Sequence, residues 1–259
     1  LKIATFDTPF KDANGEVAKI PGVVQFFQQD AGFASSLVES IMDMYPEKVE
    51  AGEPVNILQV QQGAGYNSPF DRRQIGYQPY EDEGKIKTVE RIAPIDDQNA
   101  TSSMRDVTAA TLPKYGEGEI DGIWCCYDAY AQGVYQALIE ANSDIPMVSV
   151  DICNEDIQFM QEGKNWKACA TTNWSSNGEF ACRVLALEMA DQYEDIYAAS
   201  CYYEDPGDWM EIPSVIVTQE MVTSKDGINI ENLAEVAGEE YSDTSWMPTC
   251  DWMVDLLGH

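Results

Sequence analysis

Histidine occurs once in the 259 residues, as the terminal His259, so a Ser/His or Cys/His nucleophilic system would have to be built on a fraying chain end. Catalysis of that kind is not expected. Positive charge is scarce too: 15 Lys and Arg stand against 45 Asp and Glu, a formal net charge of −30. Such a chain repels phosphate backbones and anionic lipid, which excludes nucleic acid as a partner. The acidic residues are scattered and read as a hydrated surface rather than a cation site. Long apolar runs are missing as well. Ile123 to Tyr127 and Met147 to Val150 fall far short of the roughly 20 residues that span a bilayer. Leu1 leads straight into a strand-like segment with no basic n-region and no apolar signal core before it, so the natural start is read as cut away.

None of the seven cysteines forms a C-x-x-C pair or has a histidine at zinc-ligand spacing, so no metal and no cofactor is expected. Cys125, Cys126, Cys153 and Cys169 lie in or beside strand-like runs, where a free cysteine behaves as a small buried hydrophobe. Cys201 and Cys250 sit in polar, loop-like sequence and are the one pair that could form a disulfide. The odd count leaves at least one thiol free.

What the chain does have is apolar content of 44% arranged as strand-like runs alternating with helical patterns, the signature of a parallel α/β sheet. Strands are expected at Lys2 to Phe6, Val55 to Val60, Ile86 to Ile92, Gly122 to Cys126, Pro146 to Val150, Lys167 to Thr171 and Ser214 to Thr218. Between them lie helices over Gly32 to Met44, from about Ser68 with Pro69 in its first turn, Asn99 to Tyr115, Asp128 to Ala141, Asn154 to Gln161, and Ser175 or Ser176 to about Asp191. Residues 9–21 are read as a loop. Beyond Thr223 the chain turns polar and acidic, and irregular structure is expected.

In open α/β sheets, ligands bind outside the carboxyl ends of strands. The residues just after the strands here are polar or aromatic: Asp7, Gln61-Gln62-Gly63 with Tyr66 and Asn67, Tyr127-Asp128, Asp151, and Thr172-Asn173-Trp174. Carboxylates, an arginine and aromatic faces suit a carbohydrate, whose hydroxyls need paired donors and acceptors and whose C–H face stacks on a ring. Each has a plainer role. Asp128 can cap the helix it opens, Gly63-Ala64-Gly65 makes a tight turn rather than a dinucleotide fingerprint, since Ser68 stands at its third glycine position, and Arg73 can be a surface ion pair as readily as an inward-facing group. The sequons at Asn99 and Asn173 are of a kind common by chance. Carboxylate pairs such as Asp96-Asp97, or Asp151 with Glu155, rarely face one substrate from adjacent loop positions, so no enzyme is expected.

The order of segments resembles a known family. The motifs DGIWCCYDAYAQG, PMVSVD and GKNWKACAT within residues 119–178, with KIATFD, FFQQDAGFAS and NSPFDRRQIGY upstream, are similar to those of type I periplasmic solute-binding proteins of the ribose and sugar ABC-transporter class. The likeness covers roughly residues 1–220. It implies a periplasmic binding protein type I fold: doubly wound parallel sheets, a complete C-terminal lobe and a partial N-terminal lobe, joined by crossovers that hinge shut on a solute. The implied division is 1–29 for the last strand and crossover of the N-terminal lobe, 30–160 for the C-terminal lobe, 161–195 for the return segment, and 196–259 for the final crossover and an acidic extension. The N-terminal lobe is then one strand plus the return segment, and its open sheet edge implies self-association.

Carried over by position, the ligand-binding residues are Asp7, Asp30, Arg73, Tyr127, Asp151 and Thr172. Tyr127 and Thr172 stand where sugar binders usually carry amides, and Ile95 to Asn99 lacks the aromatic that often stacks on the sugar. The resemblance further implies a small polar solute of carbohydrate type, an ABC permease as membrane partner, and a periplasmic or extracellular location, lipid-anchored or secreted. The same fold also serves as the ligand-sensing ectodomain of membrane signalling receptors, which is the second functional expectation.

Overall fold

The structure is a computed structural model that describes residues 1–8, 10–14, 20, 23–192 and 210–257. In chain order the elements are β1 (Ile3–Phe6), β2 (Val23–Gln28), α1 (Asp30–Met42), α2 (Pro46–Ala51), β3 (Val55–Val60), α3 (Ser68–Asp82), β4 (Ile86–Ile92), α4 (Ala100–Thr111), β5 (Gly122–Cys125) and α5 (Asp128–Glu140). They continue with β6 (Met147–Val150), α6 (Asn154–Gln161), β7 (Trp166–Thr171), α7 (Trp174–Met189), β8 (Met210–Ile212), β9 (Val215–Thr218), α8 (Gln219–Thr223), α9 (Glu239–Ser242) and α10 (Asp251–Leu257). Among the described residues no helix is long and apolar enough to cross a membrane.

The chain divides into two compact units. The first comprises Leu1–Gln29, Thr172–Ser214 and Glu239–His259, and the second Asp30–Thr171 and Val215–Gly238.

The second unit is built on a six-stranded sheet of order β4-β3-β5-β6-β7-β9, parallel except for β9 at its edge. Every residue of β5 and β6 is buried, as expected of strands covered on both faces. α1 and α3 pack together as one helical layer, and α4, α5 and α6 form another. Two glycines set the spacing within these layers. A Cβ on Gly76 of α3 would lie 1.9 Å from the Ala31 carbonyl oxygen of α1, and one on Gly133 of α5 would lie 2.1 Å from the Thr101 carbonyl oxygen of α4. Strand order reverses direction between β3 and β5, which creates a crevice at their carboxyl ends.

The first unit holds a three-stranded parallel sheet, β1-β2-β8. Val24, Phe26 and Ile212 of this sheet pack with Phe180 and Val184 of α7 and with Met247. This corrects the expected single strand plus return segment. β2 is hidden in the sequence because VVQFFQ interrupts its apolar run with glutamines that are nonetheless buried, Gln25 at 8% and Gln28 at 2% exposure. Gln25 Oε1 is satisfied by the Phe10 backbone N–H at 2.6 Å. β7 pairs between β6 and β9 inside the second sheet, and the chain enters the first unit at Thr172.

Three further differences concern short elements. α1 begins at Asp30 rather than Gly32, the short helix α2 follows it at Pro46–Ala51 where none is expected, and the segment after Thr223 contains α9, α10 and a 3-10 turn at Leu233–Glu235. Cys250 is a free thiol in the structure. Its expected partner Cys201 lies outside the described residues, as does His259.

Candidate functional site

Arg73 is the centre of the second unit's polar cluster. Asn67 accepts the Phe70 N–H and starts α3, which places Arg73 in the helix's second turn, pointing inward and 2% exposed. Its Nε donates to Asp30 Oδ1 at 2.8 Å, its Nη1 to the Cys126 carbonyl, and its Nη2 to Asp151 Oδ2 at 3.4 Å. The Cys126 bond fixes the guanidinium at the end of β5, beside the switch point. Arg72 reaches the other oxygen of Asp30 at 2.6 Å. Arg73 is therefore both inward-facing and ion-paired. Burial alone would lower its pKa, but Asp151 and Asp30 beside it more than reverse this, so it stays charged.

Asp151 follows β6 with φ 68°, in the left-handed region that costs most residues strain but that aspartate tolerates. Its N–H donates to the Ala170 carbonyl at 2.8 Å. Asp7 of the first unit repeats this device: it follows β1 with φ 71° and its N–H donates to the Phe26 carbonyl at 2.9 Å.

An aromatic wall adjoins the arginine. Arg73 Cζ lies 5.5 Å from the Phe70 ring centroid, and Phe70 meets Tyr66 at 5.8 Å, Tyr130 at 5.9 Å and Tyr127 at 6.0 Å. Tyr66 and Tyr127 are 46% and 37% exposed, so their rings are open to solvent. These rings come from segments other than Ile95 to Asn99, which carries no aromatic. Phe70 and Tyr130 went unread in the sequence, although Phe70 lies one turn before Arg73 on α3 and Tyr130 lies in the first turn of α5, three residues after Tyr127 at its N-cap.

Of the expected site residues, Asp30, Arg73 and Asp151 are joined by direct bonds, and Tyr127 reaches them through Phe70. Asp7 and Thr172 belong to the first unit. Thr172 is buried, and its Oγ1 accepts from Asn177 Nδ2 at 2.9 Å. Trp174, which opens α7, meets Phe6 edge-on at 5.8 Å.

Asp128, the first residue of α5, accepts from the Ala129 N–H at 2.7 Å, while Tyr127 stands at the N-cap position without a side-chain cap bond. It also belongs to the group Asp128, Cys153 and Asp156, whose donor atoms lie within 4.8 Å of one another. Gln132 Nε2 points into this group, 2.9 Å from Asp156 Oδ1 and 3.5 Å from Cys153 Sγ, where an N–H opposes a cation. Burial and then the neighbouring Asp156 charge push the Asp128 carboxyl up to about 7, and burial also raises Asp156. The arrangement suits two carboxyls sharing a proton better than a metal centre.

A groove of about 740 Å³ lies elsewhere in this unit, between β4 and α4. Its polar groups are turned on each other: Lys114 pairs with Glu90 at 2.8 Å, and Ser103 Oγ accepts from Ile95 and Asp96.

No protein-family model matches the chain, and no curated protein matches it. Solved structures do. A sugar ABC transporter protein from Yersinia enterocolitica superposes with a TM-score of 0.73 at 26% identity, over 93% of this chain and 65% of that one. The 5-methylthioribose transporter solute-binding protein of Thermotoga lettingae gives 0.75 at 19% identity, over 100% of this chain and 73% of that one. The periplasmic binding protein of the arabinose ABC transporter from Shewanella sp. ANA-3 gives 0.60 at 17%, over 91% and 69%. The chain thus spans about two thirds of the length of the proteins it resembles. In fold it is a type I periplasmic binding protein, similar to the solute-binding components of sugar ABC transporters.

Proposed function

We propose that the chain is the solute-capturing part of an extracytoplasmic ABC importer protein, taking a sugar or sugar-like polar solute without catalysis and delivering it to a membrane permease. The observation that carries this reading is the Asp30–Arg73–Asp151 cluster at the switch-point end of the second sheet, with open tyrosine rings beside it. Asp30 holds Arg73 in place, and Arg73 and Asp151 supply a donor and an acceptor to solute hydroxyls. Tyr127 offers the ring on which a sugar's C–H face rests. The paired charges balance, which suits an uncharged solute. Residues of this kind bind and orient, and nothing in the cluster combines a nucleophile with a base.

The test is a thermal-shift screen of pentoses, hexoses, polyols and cyclitols. A solute at about 100 times its Kd adds roughly 2.7 kcal/mol, an upward shift of several degrees. Asp151→Asn is expected to reduce that affinity at least tenfold. Full affinity in this variant would remove Asp151 from the site, and no shift with any compound would count against the function.

A further inference from the structure

Two carboxyls of the second unit face each other without a cation between them. Asp156 of α6 has no exposed surface, Asp128 of α5 is half-buried, and their oxygens lie within 4.8 Å of one another and of Cys153 Sγ. No lysine or arginine among the described residues is ion-paired with either. Two negative charges this close and withdrawn from water do not both persist, so one proton stays between them. The hydrogen bonds decide which carboxyl carries it. Asp156 accepts on both oxygens, from Gln132 Nε2 at 2.9 Å and from the Cys153 N–H at 2.7 Å, which stabilises its carboxylate. Asp128 accepts one N–H, from Ala129 at 2.7 Å, and is left to donate to Asp156. Burial, then the Asp156 charge, accordingly pushes Asp128 up to about 7.

The groups around the pair do not replace that proton. Arg73 of α3 favours the ionised form of Asp128, but its own bonds go to Asp30, Asp151 and the Cys126 carbonyl. Glu155 of α6 opposes a charge on Asp156. Cys126, Tyr127, Cys153 and, from β7, Cys169 are kept protonated, chiefly by burial. α4 meets this end of α5 through an uncharged bond, Thr101 Oγ1 to the Ala129 carbonyl at 2.9 Å.

The pair also spans the two loops that carry the solute cluster. Arg73 ties these loops together through the Cys126 carbonyl, two residues before Asp128, and through Asp151, two residues before Cys153. Gln132 and the carboxyl pair tie the same two segments together one helical turn onward, at the starts of α5 and α6.

We propose that Asp128 and Asp156 form a proton-operated latch on this cluster: a shared proton holds the starts of α5 and α6 together, and its loss to solvent drives them apart, displaces Tyr127 and Asp151, and lowers affinity for solute. The latch regulates the binding function proposed above and rests on it. Because the proton is held below about pH 7, solute is retained on the acidic side of neutrality and released on the basic side. By reciprocity, bound solute raises the pH at which the proton leaves.

The test uses the ¹³C,¹⁵N-labelled full chain, with D-ribose, L-arabinose and myo-inositol as probes. Without solute, the Asp128 carboxyl signal is expected to titrate near neutral pH, and the Tyr127 and Asp151 amide signals to move with the same midpoint. The best-bound probe is expected to lose at least fivefold in affinity between about pH 6 and pH 8.5. Asp128→Asn, whose amide donates to Asp156 at every pH, is expected to hold its affinity within twofold over that range. Asp156→Asn, which removes the opposing charge, is expected to lower the Asp128 midpoint. Titration of both carboxyls below pH 5, or titration of Asp128 with the two amide signals stationary, would overturn the latch. So would an equal pH dependence of affinity in the unaltered chain and Asp128→Asn. If no probe binds, the solute-binding reading fails, while the solute-free titration still decides the latch, for or against, by the same signals.

Discussion

Arg73 and Asp151 were readable in the sequence because a chain with few cations has few arginines to choose from, and because an aspartate directly after a strand stands where open sheets bind ligands. Phe70 and Tyr130 were not, since an uncharged residue on a helix shows what it packs against only once its neighbours in space are known. Asp128 shows how burial changes a residue's meaning. Read as a helix cap, it lies instead in the first turn of α5, with Tyr127 at the cap position, and it shares a buried group with Asp156. Its carboxyl, held at about 7 when folded, falls to roughly 3.9 when unfolded. The folded state thus binds more protons between these values, and stability contributed by this group is greatest below about pH 4. It declines as pH rises to about 7 and is level above that. Asp128→Asn is therefore expected to flatten the pH profile of the melting temperature across this window and to gain on the unaltered chain at pH 8. Parallel profiles would show that Asp128 is not the titrating group.

Among the elements, the helices of the second unit depend on close backbone approach at Gly76 and Gly133. An alanine at either position would place a methyl group about 2 Å from a carbonyl oxygen of the facing helix, and overpacking of this kind costs about 1–3 kcal/mol or more. Gly76→Ala and Gly133→Ala are each expected to lower the urea midpoint clearly, whereas alanine at Gly178, whose added Cβ meets nothing within 4 Å, is not. Equal midpoints for all three would contradict the helix spacing. β5 and β6 were legible because strands buried on both faces read as continuous apolar segments. β2 was not, because buried glutamines break its run. β8 is three residues long and ends in Ile212, too short to show a period. Sequence alone also does not reveal that β9 runs antiparallel to β7, since its alternation is the same either way.

On the scale of the whole molecule, the family resemblance and the structural likeness agree on fold, and the likeness extends over nearly all of this chain and 65% to 73% of the two Yersinia and Thermotoga proteins. The chain enters and leaves each unit more than once, so its division into units is a property of crossovers, which local sequence patterns record poorly. What the sequence did carry at this scale is the set of polar residues that recur after successive parallel strands. The most direct test of the central claim is amide chemical-shift mapping of the ¹⁵N-labelled chain, titrated with whichever sugar or polyol raises its melting temperature most. The account predicts saturable shifts gathered at Tyr127, Asp151 and the α3 turn that carries Arg73. Shifts gathered instead along the groove between β4 and α4, or none with any solute, would contradict it.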